Sequence, residues 1–257
     1  MDTLELEYRD ALLIIALKRP QCCNAVNTRM LGELETVLQQ SRKRREVSGI
    51  ILTGAGKDFA AGADLREIRD FTPLEAIRFA ELGQRVCRQI ENDPRPVLAA
   101  VKGYTLGGGL ELALSCDFIL AADTACFGFR ELAYGVLPAF GGASRLARLI
   151  GRSRAKELLF GARMIDAQEA LRIGLINHQF PAADLDREAA ERLGQICGQG
   201  LLALQMGKEV INSGRDIPLD AACKMERDAF AVCFSTADQK EGMQAFIEKR
   251  APRFGGN

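Results

Sequence analysis

The sequence predicts an α/β protein with parallel strand pairing and a helical C-terminal appendage. Three observations lead there. Apolar runs of strand length recur through roughly the first 180 residues. Helical periodicity with capping signals stands between them. Beyond about residue 183 the strand signal stops while amphipathic helical spacing continues. Strands alternating with helices favour βα units over hairpins.

The elements follow in order. ALLIIAL (11–17) is a continuous apolar run of strand length. A Pro-bearing loop, KRPQCCNAVN, leads to Asn27, which can cap a helix over 28–45 carrying Met30, Leu31, Leu34, Val37 and Leu38 at helical spacing. Arg42, Lys43, Arg44 and Arg45 would form its last turn, where positive charge suits the helix dipole. RNA binding is the sharper reading of that run and a solvated helix end the plainer one. GIILTG (49–54) reads as a buried strand and AGKDFAAGADL (55–65) as a glycine-rich loop. Thr72-Pro73-Leu74-Glu75 is a capping box with Pro at the first helical position, opening a helix to about residue 92. PVLAAV (96–101) is a strand, followed by GGGLELAL as a helix and DFILAAD (117–123) as a strand. Asp166 to Glu169 repeats the capping-box pattern before GLINHQF (174–180), again strand-like. LDREAAERLGQIC, LLALQMGKEVINSG and LDAACKMERDAFAVCF then read as successive amphipathic helices.

Bulk composition narrows the function. Lys plus Arg and Asp plus Glu each total 34, so no global field draws the chain to nucleic acid or to an anionic membrane. The longest fully apolar run, residues 11–17, is far too short to span a bilayer. The opening MDTLELEYRD is polar and acidic, unlike a signal peptide, and the expected location is cytoplasmic. Eight cysteines occur without a C-x-x-C pair and read as reduced, small apolar side chains. His178 is the only histidine, which excludes multi-histidine zinc sites and leaves a His-dependent triad one candidate, placed in a strand-like stretch.

The glycine loops invite tests for phosphate cradles, and both tests fail. GAGKDF has Ile51 where a P-loop needs its first glycine, and Asp58 after the lysine. LGGGLEL offers no G-x-G-x-x-G frame. Glycines at a strand-to-helix turn have another use: they let a ligand atom approach the main chain and leave N–H groups free at the positive end of a helix. A tight packed turn would explain one glycine more comfortably than three in a row. Glu111 falls in the first turn of that helix, where the dipole alone favours an acid. Glu131 is a second carboxylate close to a Gly/Pro-rich segment. Two carboxylates near free N–H donors suggest acid/base chemistry on a carbonyl compound.

FAAGADL (59–65), KGYTLGGGLELALSCDFILA (102–121), FGFRELAYGVLPAFGGASRL (127–146) and FIEKRAPRF (246–254), together with LKRPQCCNAVN, resemble the enoyl-CoA hydratase/isomerase (crotonase) family almost end to end. The resemblance implies a crotonase-like spiral of repeated ββα units over residues 1–195, carrying the acyl-CoA site. Residues 196–257 would form a C-terminal helical region for trimerisation, giving a homotrimer or homohexamer. A spiral replaces the doubly wound sheet that alternation alone would suggest. The resemblance also implies roles. The backbone N–H groups of Ala63 and Gly108 would bind the thioester oxygen. Ala63, Asp64, Leu65 and Arg66 would line the acyl-CoA site, and Glu111 and Glu131 would be the catalytic pair. The substrate would be an enoyl-CoA thioester hydrated at its 2,3 double bond. No metal or redox cofactor, nucleic acid or membrane would be needed.

Three stretches depart from the hydratase pattern. Arg130 stands where Pro is typical, Ala139 and Phe140 stand where Gly and Ala are common, and GQGLL (198–202) replaces a Ser-Pro. Arg130 could recognise a polar acyl group or form a surface ion pair, and Phe140 could shorten or reshape the acyl pocket. A double-bond isomerase on the same scaffold is the main alternative. Isomerases of this family tend to keep one of the two glutamates, and both are present here. An RNA-associated binding role through Arg42–Arg45 is the other.

Overall fold

The computed structural model describes residues 1–256. Strands β1 (Leu4–Arg9) and β2 (Leu12–Leu17) form an antiparallel hairpin, and α1 (Thr28–Ser41) follows. Next come β3 (Gly49–Gly54), α2 (Leu65–Ile68), α3 (Pro73–Glu91), β4 (Val97–Val101), β5 (Tyr104–Leu106) and α4 (Gly107–Leu114). Strands β6 (Phe118–Ala122) and β7 (Cys126–Gly128) precede a 3-10 turn at Glu131–Tyr134. The chain continues through α5 (Gly142–Ile150), α6 (Arg152–Gly161), β8 (Met164–Asp166), α7 (Ala167–Arg172) and β9 (His178–Phe180). It closes with α8 (Leu185–Cys197), α9 (Leu201–Gly214), α10 (Leu219–Cys233) and α11 (Ala237–Ile247).

The main sheet has the order β1-β2-β3-β4-β6-β9 and is parallel from β2 onward. A separate smaller sheet has the order β5-β7-β8. Period-two alternation sorts the side chains of the main sheet to its two faces. Leu13, Ile15, Leu17, Ile50, Leu52, Val97, Ala99 and Val101 point into the larger core, against α1, α3 and α4. Leu12, Ile51, Leu98, Ala100 and Leu120 point the other way, where Leu185, Ala189 and Leu193 of α8 cover them. Both faces are therefore buried, which is why these strands read as unbroken apolar runs.

Caps behave largely as expected. Asn27 accepts from the Met30 amide, and Thr72 and Glu75 form the complete capping box. Asp166 caps α7 through the Glu169 amide, but the Glu169 carboxylate turns away to pair with Arg163 at 2.8 Å, so that second box is only half formed. The helix expected over 28–45 stops at Ser41, and the basic run lies in a turn. There Arg42 donates to the carbonyls of Gln89 and Asn92, and Arg44 stacks on Tyr8 at 4.7 Å. Only His178–Phe180 of GLINHQF is strand. Gly174 takes a left-handed φ of 78° and ends the preceding helix, while Leu175 and Ile176 drop into the core.

The C-terminal helices differ from the rest. No residue of α9 is buried, and only Ala222 of α10 is. Phe230, Phe234, Met243, Phe246 and Ile247 are exposed. Among the described residues no helix is long and apolar enough to cross a membrane.

Candidate active site

Two loops meet at the N-terminus of α4. The first runs through Ala60–Asp64 and is stitched to residues 23–26. The Ala61 amide donates to Cys23 O, Val26 to Gly62 O, and Asp64 to Val26 O, at 2.8–2.9 Å. This is a parallel bridge, so alternate amides point away from the partner strand. The Ala63 N–H is one of those, and it donates to no acceptor among the described residues. The second loop is Leu106–Gly109, the first turn of α4. No side chain caps it, and first-turn amides have no intrahelical acceptor. The two loops are in contact: a methyl group built on Gly108 would lie 3.6 Å from the Ala63 nitrogen. The Ala63 amide and the uncapped first turn of α4 thus lie side by side at the positive end of that helix.

The three glycines serve three purposes. Gly107 has φ +46°, and a side chain there would collide with the Glu131 carboxylate. Gly108 leaves open the space beside Ala63. Gly109 packs directly on the Ala60 carbonyl.

Glu111 lies four residues after Gly107 and three after Gly108, hence on the same face of α4. It is 1% exposed and the only charged residue of that helix. Its Oε1 accepts from the amides of Phe140 (2.8 Å) and Gly142 (2.7 Å). Gly142 is the first residue of α5, so the carboxylate also sits at that helix's positive end. Gly141, at φ +99°, makes the turn that aims both amides at one oxygen. Burial pushes the Glu111 carboxyl up to about 7; the Gly142 and Phe140 amides oppose the rise, and the nearby charge of Glu131 adds to it.

Glu131 opens the 3-10 turn. Its Oε1 lies against Gly107, and its Oε2 is buried without a hydrogen-bond partner. Burial raises this carboxyl too, against the lowering pull of the Glu131 and Arg130 amides. Both expected carboxylates therefore flank the turn that carries the free amides.

The other expected residues fare differently. The Asp64 carboxylate is engaged locally: Oδ1 accepts from the Arg66 amide as the cap of α2, and Oδ2 pairs with Arg19 at 2.8 Å. Its visible effect is to fix the loop that presents Ala63. Leu65 and Arg66 are exposed at the start of α2. Arg130 makes no ion pair among the described residues, and its Nε is buried without a partner, so the surface ion pair is not formed. Phe140 is 2% exposed. Its ring packs on Gly83 and edge-on to Phe79 (5.3 Å), with Cε2 3.0 Å from where a Gly108 methyl would stand. Sequence reasoning missed the Phe140 and Gly142 donors. The available signal was a Gly-Gly pair directly before a helix, a free positive terminus awaiting an anion.

A cavity of about 600 Å³ opens elsewhere, between α9 and the leading ends of β4 and β6. Among the described residues no group of three or more His, Cys, Asp or Glu side chains is arranged to hold a metal ion.

Gly142 offers a direct test of this packing. A methyl there would stand 2.5 Å from Glu111 Cγ and 2.8 Å from Phe129 Cζ, both buried. We expect Gly142→Ala to lose about 1–3 kcal/mol of stability by overpacking, read as a lower denaturation midpoint, and to displace Glu111.

An α/β architecture with a second small sheet, a glycine turn opening a buried helix and two buried carboxyls beside that turn defines a protein of the crotonase fold. Solved structures agree. An enoyl-CoA hydratase from Bacillus anthracis superposes with a TM-score of 0.96 at 37% identity, covering 99% of this chain and 100% of that one. The family model described as Enoyl-CoA hydratase/isomerase matches residues 7–257. A protein named short-chain-enoyl-CoA hydratase from Clostridium acetobutylicum is 42% identical over 251 residues, 97% of this chain and 96% of that one. One named crotonyl-CoA hydratase from Syntrophomonas wolfei is 42% identical over 254 residues, 98% of each. The chain belongs to the enoyl-CoA hydratase/isomerase family.

Proposed function

We propose that the chain is an enoyl-CoA hydratase, adding water across the 2,3 double bond of a short enoyl-CoA thioester. The observation that carries this reading is the approach of Gly108 to the Ala63 nitrogen, with Glu111 and Glu131 on either side. In the proposed mechanism the thioester oxygen sits between the two amides. Water oxygen bonds to the β-carbon, the double-bond pair moves toward the carbonyl, and the oxygen becomes an enolate that the amides and the α4 dipole stabilise. Glu111 takes the proton from water, and Glu131 gives one to the α-carbon as the carbonyl re-forms. One water is added and no electrons are exchanged. Coenzyme A belongs to the substrate, and the reading needs no other cofactor.

The environments support that division. Two amides and a helix terminus favour charge on Glu111, whereas the unpartnered Glu131 Oε2 suits a neutral carboxyl that must donate. The charge of Glu131 adds to the rise of the Glu111 carboxyl, so ionisation of one disfavours ionisation of the other. Retention of both counts for water addition over double-bond migration. The exposed apolar side chains of α10 and α11 support assembly of residues 196–257 into a homotrimer or homohexamer.

The test is loss of thioester-conjugated absorbance from crotonyl-CoA, extended to longer, branched and dicarboxylic enoyl-CoA esters. Absence of hydration across that panel would reject the reading. kcat/KM should rise with pH as Glu111 deprotonates near 7. Glu131→Gln should lower kcat by about 10²–10⁴ and move that rise to lower pH, because the Glu131 charge no longer opposes ionisation of Glu111. A folded variant with parent-like kcat would remove Glu131 from the chemistry.

A further inference from the structure

We propose that Arg145 is a positioning residue that holds the 139–142 loop with its amides on Glu111 and so keeps that carboxylate available as a base. The inference rests on the reading of Glu111 given above.

Three successive peptide groups form the cradle of Glu111, and each is fixed at its far end. The Ala139–Phe140 peptide gives its N–H to Glu111, and its carbonyl accepts from Gln84 Nε2 at 2.9 Å. The Phe140–Gly141 carbonyl accepts from Arg145 Nη1 at 3.0 Å. The Gly141–Gly142 peptide gives its N–H to Glu111, and its carbonyl accepts from the Arg145 amide at 3.0 Å. Arg145 thus grips two of the three peptides, once by its side chain and once by its backbone. The guanidinium lies over Gly141, where an added methyl would be 2.6 Å from Nη1. Its other arm, Nη2, pairs with Glu91 Oε2 at 2.8 Å, the two side chains being 14% and 27% exposed. The Glu91 carbonyl in turn accepts from Asn212 of α9 at 3.0 Å. Glu111 is therefore tied through the loop and Arg145 to α3 and α9.

A bidentate fork can serve a carbonyl and a carboxylate at once; a lysine cannot hold both in that geometry. The titratable groups facing Glu111 are Glu131 from the 3-10 turn, Cys87 from α3 and Arg145 from α5. Arg145 is the one cation among them. Removing it takes away positive charge and loosens the two donors, and both changes favour the protonated carboxyl.

The experiment follows the Glu111 carboxyl band by infrared difference spectroscopy against pH, the band being identified by its absence in Glu111→Gln. Hydration of crotonyl-CoA is measured alongside. In Arg145→Met the protonated band should persist about one pH unit higher than in the parent, and kcat at pH 7 should fall about tenfold while KM changes little. Arg145→Lys should recover part of the pH shift through its charge. A folded Arg145→Met whose Glu111 titrates as in the parent overturns the proposal. If that variant does not fold, Glu91→Gln serves. It should shift the band in the same direction by less, and an unmoved titration there overturns the proposal equally. Should the parent itself fail to hydrate crotonyl-CoA, the assigned activity falls, while the infrared titration still decides the role of Arg145.

Discussion

Glu111→Gln is expected to lower kcat on crotonyl-CoA by about a thousandfold or more while making the protein more stable at pH 8. The two effects share one cause. Glu111 is the sole charge on a helix buried from Gly107 to Ala113, and burial raises its carboxyl from 4.5 to about 7. Between those values the native state holds a proton that the unfolded chain has released. Stability therefore falls as pH rises through that window and stays reduced above it. A rise of that size corresponds to roughly 3 kcal/mol. Gln keeps an oxygen for the Phe140 and Gly142 amides but carries no charge, so it recovers part of that amount. It cannot accept a proton from water, so the chemical step is lost. The measurement is kcat together with denaturation midpoints at pH 5 and pH 8. The variant should gain over the parent mainly at pH 8. A uniform change at both pH values would mean that the buried charge is not what destabilises the parent.

Legibility followed burial. The strands at 49–54 and 96–101 and the helices of the C-terminal region were readable because their side-chain pattern reports directly on which faces are covered. β1 was not, because LELEYR lies at the sheet edge and is mostly exposed, so its alternation carries too little apolar contrast to stand out. The three-residue strands β5, β7 and β8 are too short for any period. The end of α1 was misplaced because Arg42–Arg45 suit a helix terminus by charge, whereas contacts of Arg42 with the end of α3 and of Arg44 with Tyr8 favour a turn. At the site, composition alone led to two carboxylates near free amides, and family resemblance supplied the pairing of Ala63 with Gly108. What neither could supply was the cradle of Glu111. Residues 140, 142 and 145 meet it across about 30 positions of sequence, and their contribution is mostly main chain, which leaves no mark on side-chain identity.

Gly108→Ala is the second change with a large expected effect, and the three glycines explain why this one is the informative choice. At Gly107 an alanine would meet both a left-handed backbone and the Glu131 carboxylate; at Gly109 it would meet the Ala60 carbonyl. Either variant would disturb the fold, and lost activity would say little. Gly108 is free of both obstacles. Its φ lies outside the left-handed region, and the nearest atom to its new methyl would be the edge of the Phe140 ring, at 3.0 Å, which must yield by about a few tenths of an ångström. Ala is the better helix former by up to about 1 kcal/mol, which offsets part of the cost of crowding that buried ring, and the denaturation midpoint is measured alongside the kinetics. The methyl would nonetheless stand 3.6 Å from the Ala63 nitrogen, in the space where the proposed mechanism puts the thioester oxygen. Charge builds on that oxygen chiefly as the enolate forms, so the loss should fall on kcat more than on KM. Loss of one such donor elsewhere is worth about 3–4 kcal/mol, or 10²–10³ in rate, and a blocked approach to two donors should be at least as severe. Parent-like kcat/KM in a folded Gly108→Ala would show that the thioester oxygen does not bind between these amides, and the roles of Glu111 and Glu131 would lose the geometry that gives them meaning.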